Sequence, residues 1–177
     1  MPTPRVNNVF LLPGEHFTGD ARHRISTLLG SCVSITLWHP RLLVGAMSHF
    51  LLPGSATEQG QPPNARNARY GGDALTMMMA DLGLRGADPA ECEAKVFGGG
   101  AMFKVPDRLG KDIGRRNGES ARAMLAAANI RIVSESLFEE GHQRIVFTIR
   151  TGEVWVRHAH PEKLHSGTAR RLREELR

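Results

Sequence analysis

The chain has 177 residues, 41% of them hydrophobic and 23% charged, which fits a single domain (residues 1–177) that buries its own core without disulfide staples. No run approaches the roughly 18 to 20 apolar residues of a membrane span, and the start MPTPRVNNVFLLPGEHF lacks a signal peptide's basic and apolar regions, so a cytoplasmic protein without membrane insertion is expected. The net charge of +5 is spread along the chain and aromatics make up only 6%, which favours a solvated basic face over a nucleic-acid surface.

In chain order, RISTLL (residues 24–29) reads as a strand leading into Gly30-Ser31-Cys32. Val33 to Leu37 alternate apolar and polar side chains, the pattern of a half-buried strand. HPR at 39–41 is a turn, and LLVGAMSHFLL gives the returning strand. With the loop set at residues 39–42, Leu37 faces Val44, Ile35 faces Ala46, Val33 faces Ser48, and Cys32 lies directly opposite His49. Residues 54–72, rich in Gly, Pro and Asn, form a long surface loop. Asp73 is then the expected N-cap of a helix that buries Leu75, Met78, Met79 and Leu82 and ends at Gly83 and Gly86.

EAKVFGGGAMF is a short strand running into Gly98-Gly99-Gly100. RNGESARAMLAAANI predicts a second helix with Ala121, Met124, Leu125 and Ala128 inward and Asn129 at its left-handed end. IRIVSESLF, RIVFTIR and EVWVR read as strands, the last two joined at Thr151-Gly152, and a short helix is expected over residues 168–176. Strands outnumber helices without alternating with them. The expected class is α+β: antiparallel or mixed sheets, sandwich-like, with two to three packed helices.

The Cys32–His49 pair carries the chemistry. A free thiol is mostly protonated at neutral pH, and a neighbouring imidazolium lowers its pKa and yields a nucleophile for a carbonyl carbon. Gly30 and Ser31 leave room for substrate, nearby backbone N–H groups could receive an oxyanion, and Ser26 or Thr27 could orient the histidine. Buried cysteines are also common and inert, so on these residues alone nucleophile and core thiol stand level.

The motifs LLPGEHF, STLLGSCVSITLWHP, GAMSHFLLP, RYGGDAL, KVFGGGAMF and IGRRN occur in one order over most of the chain. In this the sequence resembles the CheD family of chemoreceptor glutamine deamidases. The resemblance implies Cys32 as nucleophile, His49 as general base, and a hydroxyl six positions before the cysteine, Ser26, as third catalytic residue, with Thr27 adjoining it. It implies a hydrolase that converts glutamines on the cytoplasmic coiled coil of methyl-accepting chemotaxis receptors to glutamate. Some members also hydrolyse receptor methyl esters, and in some bacteria a member binds the phosphatase CheC. No metal or organic cofactor is implied. The segment ESLFEEGHQRI departs from the family's Asp-Val-Gly-Gly type. The rival readings are a non-catalytic chemotaxis scaffold binding receptor or CheC, and a cysteine protease or transglutaminase.

Other candidates are weaker. His158, His160 and His165 lie close together without an accompanying acidic or cysteine ligand at familiar spacing. Cys92 stands among glutamates that would raise its thiol pKa. The three glycines lack a following Lys-Ser/Thr, which argues for a tight bend beside the site, with backbone N–H groups to offer, and against a phosphate loop.

Overall fold

The structure, a computed structural model, describes residues 5–101 and 110–159. Its elements are β1 (Asn7–Phe10), β2 (His16–Asp20), β3 (His23–Leu29), β4 (Val33–His39), β5 (Val44–Ser48), α1 (Gly71–Leu84), β6 (Glu93–Gly98), α2 (Gly110–Ala127), β7 (Arg131–Leu137), β8 (His142–Thr148) and β9 (Glu153–Ala159). The strands form a four-stranded sheet of order β1-β3-β8-β9 and a five-stranded sheet of order β2-β5-β4-β6-β7. The β1–β3 and β6–β7 pairs are parallel and the other pairs antiparallel, so both sheets are mixed and the fold is α+β. The helix expected over 168–176, with His160 and His165, lies outside the described residues.

Side-chain alternation sets the layers. On β3, Ile25, Thr27 and Leu29 are buried while Arg24 and Leu28 are exposed, the pattern of a sheet with one covered face. On β4 both faces are buried. Val33, Ile35 and Leu37 meet Leu75, Met78 and Leu82 of α1 and Ala121 and Leu125 of α2. The opposite face contributes Met47 and Phe97 to a second core with Ile25, Leu29, Ile145 and Phe147 of the four-stranded sheet. The order is therefore sheet, sheet, helices, with each fully buried aliphatic or aromatic side chain contributing about 1.5–3 kcal/mol. Trp38 pins the two sheets together, its Nε1 donating to the Ile149 carbonyl at 2.7 Å.

Asp73 is not the N-cap of α1. The helix starts at Gly71 after Tyr70, and Asp73 lies buried in its first turn. Its Oδ2 accepts from the Ala56 N–H at 2.9 Å and the Asn67 N–H at 3.0 Å, so this carboxylate ties both ends of the polar loop to the helix. Asn129 takes the expected left-handed conformation, φ 55°.

The β4–β5 hairpin differs from the expected register by two residues. His39 stays in β4 and pairs with Val44, Trp38 with Gly45 and Leu37 with Ala46, which leaves residues 40–43 as the turn. The His39 ring decides this: its Nδ1 accepts from the Leu42 N–H at 3.2 Å, and Leu43, at φ 51°, donates to the His39 carbonyl at 2.9 Å. Cys32 is therefore not directly opposite His49. Because side chains alternate with a period of two, a two-residue slip keeps both on one face of the sheet, as diagonal neighbours.

Candidate active site

Cys32 sits in the short link between β3 and β4, where a cradle of backbone fixes it. Its carbonyl accepts from the Gly99 N–H at 2.9 Å, and the Gly30 carbonyl accepts from the Gly100 N–H at 2.9 Å. The Gly98 N–H donates to Oε1 of buried Gln143 at 3.1 Å. Gly98 has φ 101°, and a Cβ there would run into the Cys32 carbonyl oxygen, so the site demands glycine on two counts. All three glycine N–H groups are engaged with protein acceptors. They shape the loop that carries Cys32 and are not free to receive an oxyanion, contrary to the sequence-based expectation. The divergent segment props the same bend: the Phe138 N–H donates to the Gly98 carbonyl at 3.0 Å, and the Gly141 N–H to that of Ala101 at 3.1 Å.

His49 follows β5, its backbone held by the β1–β2 connection: its N–H donates to the Glu15 carbonyl at 2.9 Å and its carbonyl accepts from Gly14 at 2.8 Å. The ring is buried, with Nδ1 2.7 Å from Thr27 Oγ1. The same hydroxyl donates to the Leu11 carbonyl at 2.7 Å. A hydroxyl has one proton, so toward the ring it can only accept. Nδ1 therefore carries the imidazole hydrogen and Nε2 is left with its lone pair, the tautomer of a general base. Ser26 points from the other face of β3, half-buried and flanked by Phe10 and Val146 on the neighbouring strands. Thr27, five positions before Cys32, is the hydroxyl on the ring, and Ser26 is not.

The electrostatics run against an ion pair at rest. Burial pushes the His49 pKa down to about 4, opposed in part by the Glu15 charge. Burial pushes the Cys32 thiol up, opposed in part by a backbone hydrogen bond. Cys32 is half-buried against the inter-sheet core. Burial thus favours the neutral thiol and the neutral imidazole, against the thiolate–imidazolium pair expected from the sequence.

The sequence reading missed Asn117, although it lies in the IGRRN motif. Fully buried on α2, its Nδ2 donates to the Ser31 carbonyl at 3.1 Å and the Leu51 carbonyl at 2.8 Å. One amide thereby clamps the cysteine segment to the histidine segment. The available signal was its position four residues before Ala121, on the helical stripe that continues inward through Leu125. Its Oδ1 is buried without a hydrogen-bond partner among the described residues.

The remaining candidates separate from the site. Cys92 is buried and its thiol is pushed up to about 11, by burial first and then by Asp88 and Glu91. His158 contacts Glu139 at 3.1 Å. Among the described residues no three His, Cys, Asp or Glu side chains group so as to hold a metal ion, and no helix is long and apolar enough to cross a membrane.

A family profile described as CheD chemotactic sensory transduction matches residues 51–158. The chain is 47% identical over 161 residues to "Probable chemoreceptor glutamine deamidase CheD 2" of Albidiferax ferrireducens, covering 90% of this chain and 92% of that protein. It is 42% identical to "Probable chemoreceptor glutamine deamidase CheD 3" of Dechloromonas aromatica, with coverage of 85% and 87%. With "Probable chemoreceptor glutamine deamidase CheD 1" of Chromobacterium violaceum it shares 34% identity, with coverage of 97% and 88%.

Proposed function

The chain belongs to the CheD family, and from that premise we propose that it is a single-domain cysteine hydrolase that deamidates glutamines of chemoreceptors to glutamate. Cys32 is the nucleophile, His49 the general base and acid, and Thr27 the residue that positions the ring. The observation that carries this reading is the hydrogen-bond chain from His49 Nδ1–H through Thr27 Oγ1 to the Leu11 carbonyl. It leaves Nε2 bare on the sheet face that Cys32 shares.

The reaction follows from these protonation states. As Sγ attacks the glutamine carboxamide carbon, Nε2 takes the thiol proton and the C–S bond forms. The imidazolium, held by Thr27 through Nδ1–H, returns the proton to the amide nitrogen. The C–N bond breaks and ammonia leaves a thioester. Nε2 then deprotonates a water that attacks the thioester carbon, and the C–S bond breaks to give glutamate and the thiol. A receptor glutamyl methyl ester would follow the same course with methanol leaving. The substrate glutamine stands on the receptor's cytoplasmic coiled coil, which places the reaction in the cytoplasm.

The test is ammonia release from a purified receptor cytoplasmic fragment, with the fragment mass rising by about 1 Da per converted site. Cys32→Ala should abolish conversion with the fold intact, and Cys92→Ala should retain it. Conversion by Cys32→Ala at the wild-type rate would refute the covalent route. A wild-type protein that binds the fragment without turnover, or binds CheC alone, would leave the scaffold reading in its place.

A further inference from the structure

Among the described residues α1 and α2 lie against the five-stranded sheet, while the outer face of the four-stranded sheet carries exposed side chains. On that outer face one rung crosses all four strands as Phe10, Ser26, Val146 and Trp155. Trp155 is 72% exposed and Phe10 53%, in a chain whose other large apolar side chains are mostly inside. The next rung toward the nucleophile loop sets exposed Leu28 beside Arg144, and Arg144 directly opposite Arg157. On the far side of the aromatic rung stands Arg24.

Two features mark this face as built for a partner. Like charges directly opposite on neighbouring strands destabilise a sheet, and none of Arg24, Arg144 and Arg157 has an ion-pair partner among the described residues. The described part of the face carries one carboxylate, Glu153, at its edge and two strands from Arg24, where it accepts from the Thr151 hydroxyl at 3.1 Å. Exposed tryptophan, phenylalanine and arginine together are the composition of an interaction hot spot. A sheet face with an apolar rung is ordinarily covered by a helix, as the other sheet is here.

We propose that this face docks a helix of the substrate receptor, one with an apolar stripe flanked by carboxylates. The apolar stripe would lie on Phe10, Val146 and Trp155, and the carboxylates would meet Arg24, Arg144 and Arg157. The inference rests on the reading of the chain as a receptor deamidase. Its location suits that role. Leu28 points outward four residues before Cys32, and its neighbour Thr27 points inward to hold His49, so dock and catalytic site are two sides of one strand end.

The experiment uses the full chain and a receptor cytoplasmic fragment bearing acceptor glutamines. With wild type, the tryptophan emission should shift to the blue on titration of the fragment, and binding should weaken with added salt. Trp155→Ala, and separately Arg144→Glu with Arg157→Glu, should raise KM for the fragment about tenfold and leave kcat within about twofold, with the alkylation rate of Cys32 unchanged. Arg144→Glu alone should raise Tm, because it replaces an opposed like-charge pair with a cross-strand ion pair, while weakening the fragment. A merely structural role would move both in the same direction. Unchanged KM in these variants would overturn the proposal. So would loss of binding to phosphatidylglycerol-containing vesicles with fragment binding intact, since the face would then be a membrane surface. Fragment binding that depends on Trp155 in a protein with no turnover would leave the dock standing and refute the deamidase reading instead.

Discussion

Replacing Thr27 by valine keeps the shape of a fully buried side chain and removes only the hydroxyl. Two groups then lose their partner where water does not reach, the Nδ1–H of His49 and the carbonyl of Leu11. Each buried orphan costs about 1–3 kcal/mol, and the extra methyl returns about 1 kcal/mol. The expected loss of stability is about 3 kcal/mol. The kinetic effect is separate: without an acceptor on Nδ1 the proton is no longer fixed on that nitrogen, and the imidazolium formed during attack loses a hydrogen bond worth about 1.5–3 kcal/mol. That corresponds to a fall of about 10- to 100-fold in kcat. The assay is ammonia release from the receptor fragment at saturating substrate, with circular dichroism and a urea transition establishing that the variant is folded. Thr27→Ser should recover most of the activity, and Ser26→Ala should stay within about twofold of wild type. A folded Thr27→Val enzyme with wild-type kcat, or a larger loss in Ser26→Ala, would refute the relay.

Three further expectations follow from the same geometry. His49 is held neutral with its pKa pushed down to about 4. As pH falls below about 6.5 the unfolded chain binds a proton that the folded chain refuses, so stability is full above that value and declines toward pH 4 by about 3 kcal/mol; His49→Gln should flatten this part of the urea-midpoint profile. Alkylation of Cys32 should have its midpoint above the ordinary thiol value of about 8.5 and shift little in His49→Ala, with Cys92 slower still; a low midpoint that rises in His49→Ala would establish an ion pair at rest. Asn117→Leu should leave the Ser31 and Leu51 carbonyls without their donor, lowering stability by about 2–4 kcal/mol and kcat more than KM, and wild-type kcat in the folded variant would show that the clamp does not position the site.

The sequence by itself determined most of the elements and singled out Cys32 and His49 as the pair proposed to react. Strand alternation in Val33 to Leu37, the glycine run at 98–100, the left-handed Asn129 and the α+β class are local matters of period and backbone freedom, and they are legible without coordinates. So was the sharing of one sheet face by Cys32 and His49, because parity survives a two-residue slip. The register itself was not legible. It depends on the His39 ring bonding to the Leu42 N–H, a contact no propensity encodes. The choice between Ser26 and Thr27 turned on which face of β3 looks inward, and that is fixed only when β3 packs against the five-stranded sheet. The roles of Asn117 and Asp73 were hidden for the same reason: their partners lie at sequence separations that only folding closes. The directions in which burial shifts Cys32 and His49 were hidden as well, because desolvation is a property of the packed interior.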